Sequence, residues 1–131
     1  FKHIINKSLN IQHYDCDENE EVWNYIPIDE EHKNLVSVHC ALTKEIVCIN
    51  DVYHNDKYDF SGTKDFDSKI NYKSETMLVV PMLLADKTLV GILQLINKLN
   101  NDNNTITFNN FDKDIAHSLA SQASVAIDKF R

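Results

Sequence analysis

Two apolar runs separated by a short polar turn constrain this chain more than any other feature. Residues 76–84 form one run, Ala85-Asp86-Lys87-Thr88 the turn, and residues 89–97 a second run with β-branched residues. Such a pair reads as an antiparallel hairpin. Each run is apolar at most positions and does not alternate strictly, so both faces of the hairpin must be covered, as in central strands. The chain therefore needs further strands beside the hairpin and helices across it.

The rest of the sequence supplies them. Residues 1–5 and 9–14 alternate weakly about the polar turn Asn6-Lys7-Ser8 and read as a short hairpin or bent strand. Residues 15–21 are an acidic run, read as a solvated loop. Trp23, Tyr25, Ile26 and Ile28 surround Pro27 and suggest an irregular edge segment. Asp29 is placed to cap a helix over about 31–43. Residues 46–50 read as a short buried strand containing a buried thiol, Cys48. Residues 52–73 are polar and aromatic, long for a loop, with short helical turns predicted inside. Residues 99–105 are Asn-rich and read as a mobile surface loop.

The last helix has a clear start. Asn109 is its N-cap, and Asp112 stands at the third helical position, near the positive end of the dipole. Phe111, Ile115, Leu119, Gln122, Ala126 and Phe130 share one face, which predicts burial on a sheet or a partner helix. Ala116, Ala120, Ala123 and Ser124 thicken that stripe. The order strands, helix, strands, long helix makes the class α+β: a central antiparallel sheet of about five strands flanked by helices. At 131 residues one domain is the natural count. The chain begins at Phe1, and the last helix pattern runs to Arg131 with no stop signal, so both ends read as cut from something longer.

Composition excludes several functions. Only two glycines, Gly62 and Gly91, are present, so no glycine-rich phosphate loop can be written. A net charge of −7 argues against a nucleic-acid surface. No apolar run approaches a membrane span, and three scattered cysteines fit a reducing, cytoplasmic setting. His13 with Cys16 and His39 with Cys40 are neighbours without metal-ligand spacing, so no metal site is predicted. No GxSxG occurs, and adjacent His39 and Cys40 on one helix would point about 100° apart. Asp65 and Asp67 read as part of a solvated acidic loop. What remains is binding. Tyr53 and Phe60 offer stacking faces, and Thr63 and Ser74 offer neutral hydroxyls to a small polar ligand. The bland alternative is a satellite core under a long loop.

Several runs carry a family resemblance. They are Ala41-Leu42-Thr43-Lys44-Glu45-Ile46-Val47-Cys48-Ile49-Asn50-Asp51-Val52-Tyr53, Phe60-Ser61-Gly62-Thr63-Lys64-Asp65-Phe66-Asp67, and Tyr72-Lys73-Ser74-Glu75-Thr76-Met77 with the hairpin after it. Residues 90–98 and 119–127 continue the match. The chain resembles the GAF domain of the type found in cyclic-nucleotide phosphodiesterases, adenylyl cyclases and bacterial HD-GYP proteins. The resemblance covers nearly the whole of residues 1–131, with the family's N-terminal helix and first strand falling ahead of Phe1. It implies a sheet edge that another chain fills.

Cyclic-nucleotide-binding members carry the motif NK…F…DE. Here it reads Asn97-Lys98, Phe108 and Asp112-Lys113, with a lysine in place of the final acid. The resemblance implies an ion pair between Lys98 and Asp112 that shapes the domain. It also implies pocket positions. Ile5 and Asn6 stand where an aromatic stacker and an Asp are usual. Val36 and Ser37 align with a phosphate-contacting helix start. Ile70 and Ser74 replace a threonine pair, with Asn71 beside them where a glycine is frequent, and Gln94 replaces a glutamate. Methionine sulfoxide reductases of this family need pocket-loop cysteines, and none lies between Asp51 and Arg131. Bilin attachment needs a cysteine motif that Cys16 and Cys40 do not reproduce.

The function implied is regulatory and not catalytic: a small-molecule sensor, with cAMP or cGMP as ligand class and no required cofactor, signalling through its terminal helix to an output domain in the same chain. A homodimer through terminal helices goes with it. A second reading is a ligand-free dimerisation module. A third is a redox or haem sensor using Cys40, Cys48 or a histidine.

Overall fold

A computed structural model describes residues 5–6, 11–12 and 27–130. The acidic run 15–21, Cys16, Trp23 and Tyr25 lie outside the described residues. So do the side chains of Ile5 and Asn6. β1 (Ile5–Asn6) and β2 (Ile11–Gln12) pair antiparallel, with Ile5 opposite Gln12.

The hairpin forms as its sequence dictates. β4 (Met77–Leu83) pairs antiparallel with β5 (Leu89–Ile96), Val79 opposite Gln94 and Pro81 opposite Ile92. At the turn Leu84 N–H donates to Thr88 O at 3.0 Å, and Lys87 takes the left-handed φ of 68°. β3 (Val47–Ile49) joins the other edge of β4 antiparallel, Cys48 opposite Leu78.

Both faces of β4 are buried, and successive residues serve opposite layers. Met77 and Val79 meet Val36, Cys40, Ile49, Val52, Tyr58 and Phe60 on one side. Leu78, Val80 and Met82 meet Ala116 and Ala120 on the other. Ile92 and Ile96 of β5 join the first cluster, and Leu93 and Leu95 the second. Burying an aliphatic side chain of this kind stabilises by roughly 1.5–3 kcal/mol, so these two clusters hold the layers together. The α+β class, the antiparallel sheet and the long C-terminal helix are all present. The central sheet has three strands among the described residues, in the order β3-β4-β5, and the others form two separate two-stranded ladders.

The helices differ in detail from the sequence reading. α1 spans Val36–Thr43, later than 31, because Asp29 caps a separate 3-10 turn, Glu30–His32, accepting from His32 N–H at 3.1 Å. Leu35, in extended backbone, then opens α1, and left-handed Lys44 closes it through an N–H bond to Cys40 O. The stretch read as a loop with short turns holds a 3-10 turn, Val52–His54, and a ten-residue helix, α2 (Ser61–Ile70). Asn71 ends α2 in the left-handed conformation at φ 55°. The Asn-rich stretch is pinned at its ends by a ladder of β6 (Lys98–Leu99) with β7 (Thr105–Ile106).

α3 (Asn110–Asp128) starts at Asn109 with a full capping box to Asp112. Its buried residues are Ala116, Ala120 and Ser124, spaced four apart, and not the large apolar stripe. Phe111 (70% exposed), Leu119 (54%) and Phe130 (91%) face outward, as do Ile115, Gln122 and Ala126. The reason is spatial. Leu78, Val80 and Met82 already fill the layer, so a close-packed helix presents small side chains to them. No helix of the described residues is long and apolar enough to cross a membrane.

Candidate functional site

The aromatic segment predicted as a pocket wall is built around a buried carboxylate. Asp67, on the inner side of α2, is 2% exposed. Its Oδ2 accepts from Tyr53 OH at 2.6 Å and from Ser74 N–H at 2.8 Å, and its Oδ1 accepts from Ser74 Oγ at 2.8 Å. Asp67 is therefore not a solvated loop acid. The carboxylate hydrogen bond, with burial second, pushes the Tyr53 phenol up to about 12. Tyr53 and Ser74 spend their hydroxyls inside the protein. Phe60 is 4% exposed and packs edge-on against Tyr58 within the core cluster. For Phe60 the satellite-core reading is the one observed. Thr63, in the first turn of α2, and Ile70, its last residue, are both half-buried.

A second polar corner lies on the same sheet face. Ser37, in the first turn of α1, receives a hydrogen bond from Gln94 Nε2 on β5. Gln94 is exposed and Ser37 half-buried, while neighbouring Val36 is in the core. Leu35 provides no side-chain cap to α1, so the first-turn N–H groups have no side-chain acceptor there. Sequence spacing brings 37 and 94 nowhere near each other; the sheet does, because α1 lies across β4 and β5.

The motif residues gather at the sheet's other end. Asn97 adopts a left-handed φ of 60° directly after β5. Its Oδ1 accepts from Glu75 N–H at 2.7 Å and Thr76 N–H at 3.1 Å. Its Nδ2 donates to Tyr72 OH at 2.8 Å and Lys73 O at 2.9 Å. Lys98 Nζ then reaches Asp112 Oδ2 at 2.5 Å, and Phe108 packs on the Leu78–Ala116 side of the sheet. Sequence reasoning named Asn97 as a motif residue but not its hold on residues 72–76, and it missed Asp67, whose only signal was an acid inside an otherwise ordinary polar stretch.

A surface concavity of about 190 Å³ among the described residues is elsewhere than the Ser37–Gln94 corner: Asn50, Asp51, Lys73, Glu75, Thr76, Thr105, Ile106 and Thr107 line it. It is shallow and open, and its polar groups bond one another, as in Lys73 to Glu75 at 3.6 Å. Cys40, not Cys48, is the fully buried thiol; it donates to Glu45 O at 3.2 Å, and burial pushes it up to about 12. Cys48 is half-buried. Asp29, Glu31 and His32 place ligand-type atoms within 4.8 Å of one another at the surface, with Asp29 and His32 already bonded at 2.6 Å.

The described residues make a three-layer α+β domain, with an antiparallel sheet between α1 and a long terminal helix. The chain belongs to the GAF domain family, whose model matches residues 9–127. GAF domains are in general small-molecule-sensing regulatory domains. No curated protein matches the chain. Among solved structures it is similar to the type II free methionine-R-sulfoxide reductase from Thermoplasma acidophilum, at 18% identity over 76% of this chain and 60% of that one, with a TM-score of 0.54. It is also similar to the photoproduct state of GAF3 from Slr1393 of Synechocystis sp. PCC6803, at 14% identity over 89% and 69% of the two chains, with a TM-score of 0.53. The chain thus spans less than two thirds of the reductase. At these identities the likeness is one of fold.

Proposed function

We propose that this GAF domain is the regulatory module of a multidomain cytoplasmic signalling protein. It binds a cyclic nucleotide where α1 meets β5 and passes occupancy through α3 to an output domain. The observation that carries this reading is the Ser37–Gln94 hydrogen bond beside an uncapped helix start. Orphan N–H groups and the positive end of the helix dipole suit a phosphate, and Ser37 and Gln94 add neutral hydrogen bonds. Ligand energy does regulatory work only if it differs between two arrangements of α3, as in a dimer.

The role is regulatory and not catalytic. No cysteine lies between Asp51 and Arg131, where reductases of this family need them, and Cys40 is a buried hydrogen-bonded thiol. Titration calorimetry and thermal shift with cAMP and cGMP test the ligand. Saturation at 100 times Kd adds about 2.7 kcal/mol of apparent stability. Ser37→Ala and Gln94→Ala are expected to weaken binding. No shift at millimolar nucleotide overturns the cyclic-nucleotide assignment.

A second reading rests on a different observation. Tyr58 and Phe60 fill the space under residues 52–60, and the apolar stripe of α3 is exposed. That combination suits a ligand-free dimerisation module. Sedimentation showing a strict monomer at high concentration, with complete terminal helices present, removes it.

A further inference from the structure

Residues 72–76 join α2 to β4 and are held from two sides. From α2, Asp67 takes both the N–H and the hydroxyl of Ser74, each at 2.8 Å. From the end of β5, Asn97 takes the N–H groups of Glu75 and Thr76 and gives its own two N–H bonds to Tyr72 and Lys73. Asn97 also donates its backbone N–H to Thr76 O at 2.8 Å. The next residue, Lys98, is the one bonded to Asp112 in the first turn of α3. Hydrogen bonds and the short stretches of chain between them therefore connect a buried carboxylate of α2, through one five-residue strap, to a carboxylate of α3.

We infer that Asp67 and Asn97 form a two-sided clamp on residues 72–76 that relays the position of α2 to the first turn of α3. Each side of the clamp fixes different atoms of the strap, so neither replaces the other. Asp67 controls the Ser74 end. Asn97 controls the Glu75–Thr76 end and, through the chain itself, the placement of Lys98. The Asp67 side is buried and the Asn97 side half-buried, and a network whose members are all bonded is stiff. The relay operates without any ligand, so it goes beyond the sensing proposal and stands or falls separately from it.

Amide hydrogen exchange on the ligand-free protein is the test, because local opening reads directly in it. Asp67→Ala removes one side. Asp67→Asn keeps it: the amide oxygen meets Ser74 N–H and Tyr53 OH, and the NH2 meets Ser74 Oγ, which rotates to accept. Asn97→Gly removes the carboxamide and keeps the left-handed backbone. In Asp67→Ala and Asn97→Gly, exchange is expected to rise at least tenfold at residues 74–76 and also at Lys113, whose N–H bonds Asn109 O. Asp67→Asn should stay near wild type, and the β4–β5 ladder should keep its protection. A rise confined to residues 74–76, with Lys113 unchanged, overturns the relay. So does an equal rise across β4 and β5, which marks mere loss of global stability. Should Asp67→Ala fail to fold, Ser74→Ala deletes a single bond and must raise exchange at both places, to a smaller extent, for the relay to stand.

Discussion

Lys98 Nζ lies 2.5 Å from Asp112 Oδ2, tying the strand after the hairpin to the first turn of the last helix. The same oxygen accepts from Asn109 N–H at 2.8 Å. Lys98 first, and the Asn109 N–H second, hold the Asp112 carboxyl below its ordinary value of 3.8. The unfolded chain therefore takes up this proton at higher pH than the folded one. The stabilisation is full above the ordinary value and is lost as pH falls below it, through the depressed folded value. Lys98→Met is expected to lower the melting temperature at neutral pH and to flatten the loss of stability below pH about 4. An unchanged acid limb in thermal melts would refute this.

The two faces of α3 predict opposite responses to adjacent substitutions. Ala120 is 1% exposed against Leu78 and Val80, so Ala120→Leu overpacks the layer and should cost about 1–3 kcal/mol. Leu119 points outward, and Leu119→Ser should change the stability of a monomer by less than about 0.5 kcal/mol. Urea denaturation distinguishes the two. If Leu119→Ser also lowers self-association in sedimentation, the dimerisation reading gains.

Asn71 closes α2 at φ 55°, with its N–H bonded to Asp67 O. Glycine accepts that backbone freely, and a β-branched residue does not. Asn71→Gly should therefore be neutral or mildly stabilising, and Asn71→Val should cost about 1–2 kcal/mol in chemical denaturation. Equal stability of the two would show that the helix end relaxes.

The Cys40 thiol, pushed up to about 12 by burial, is almost entirely protonated at neutral pH. Peptide mapping after iodoacetamide treatment of the folded protein should find Cys40 labelled at least tenfold more slowly than half-buried Cys48, an order-of-magnitude expectation from thiolate fraction and access. Faster labelling of Cys40 would show that α1 opens readily and would revive a redox role.

What the sequence made legible followed apolar patterning and capping. Residues 76–97 declared a hairpin covered on both faces, and Asn109 with Asp112 declared the start of α3. α2 reads only as short turns because the segment is polar on average and its one fully buried member, Asp67, is a carboxylate, which reads from sequence as a solvated acid. The stripe of α3 misled because large side chains dominate any reading of periodicity, whereas contact with a full sheet face selects small ones. Asp29 showed a capping residue correctly and the wrong helix, since a 3-10 turn takes the same cap. At the site, family resemblance named Ser37 and Gln94, and only the fold shows them sharing a hydrogen bond. Asn97's bonding partners stand 21 to 25 positions away and Asp67's 7 to 14, several of them backbone groups, and single-sequence reading has no signal for those pairings.

The inward face of α3 has one more consequence. Ala116, Ala120 and Ser124 recur every four residues, so displacing the helix by a turn sets one small side chain where another had been. Such a face works as a smooth rail with few notches. The index lies at the front of the helix, where Asn109 caps the first turn and Lys98 holds Asp112. Length can therefore be added to or taken from the far end of α3 without altering how its first turn is seated.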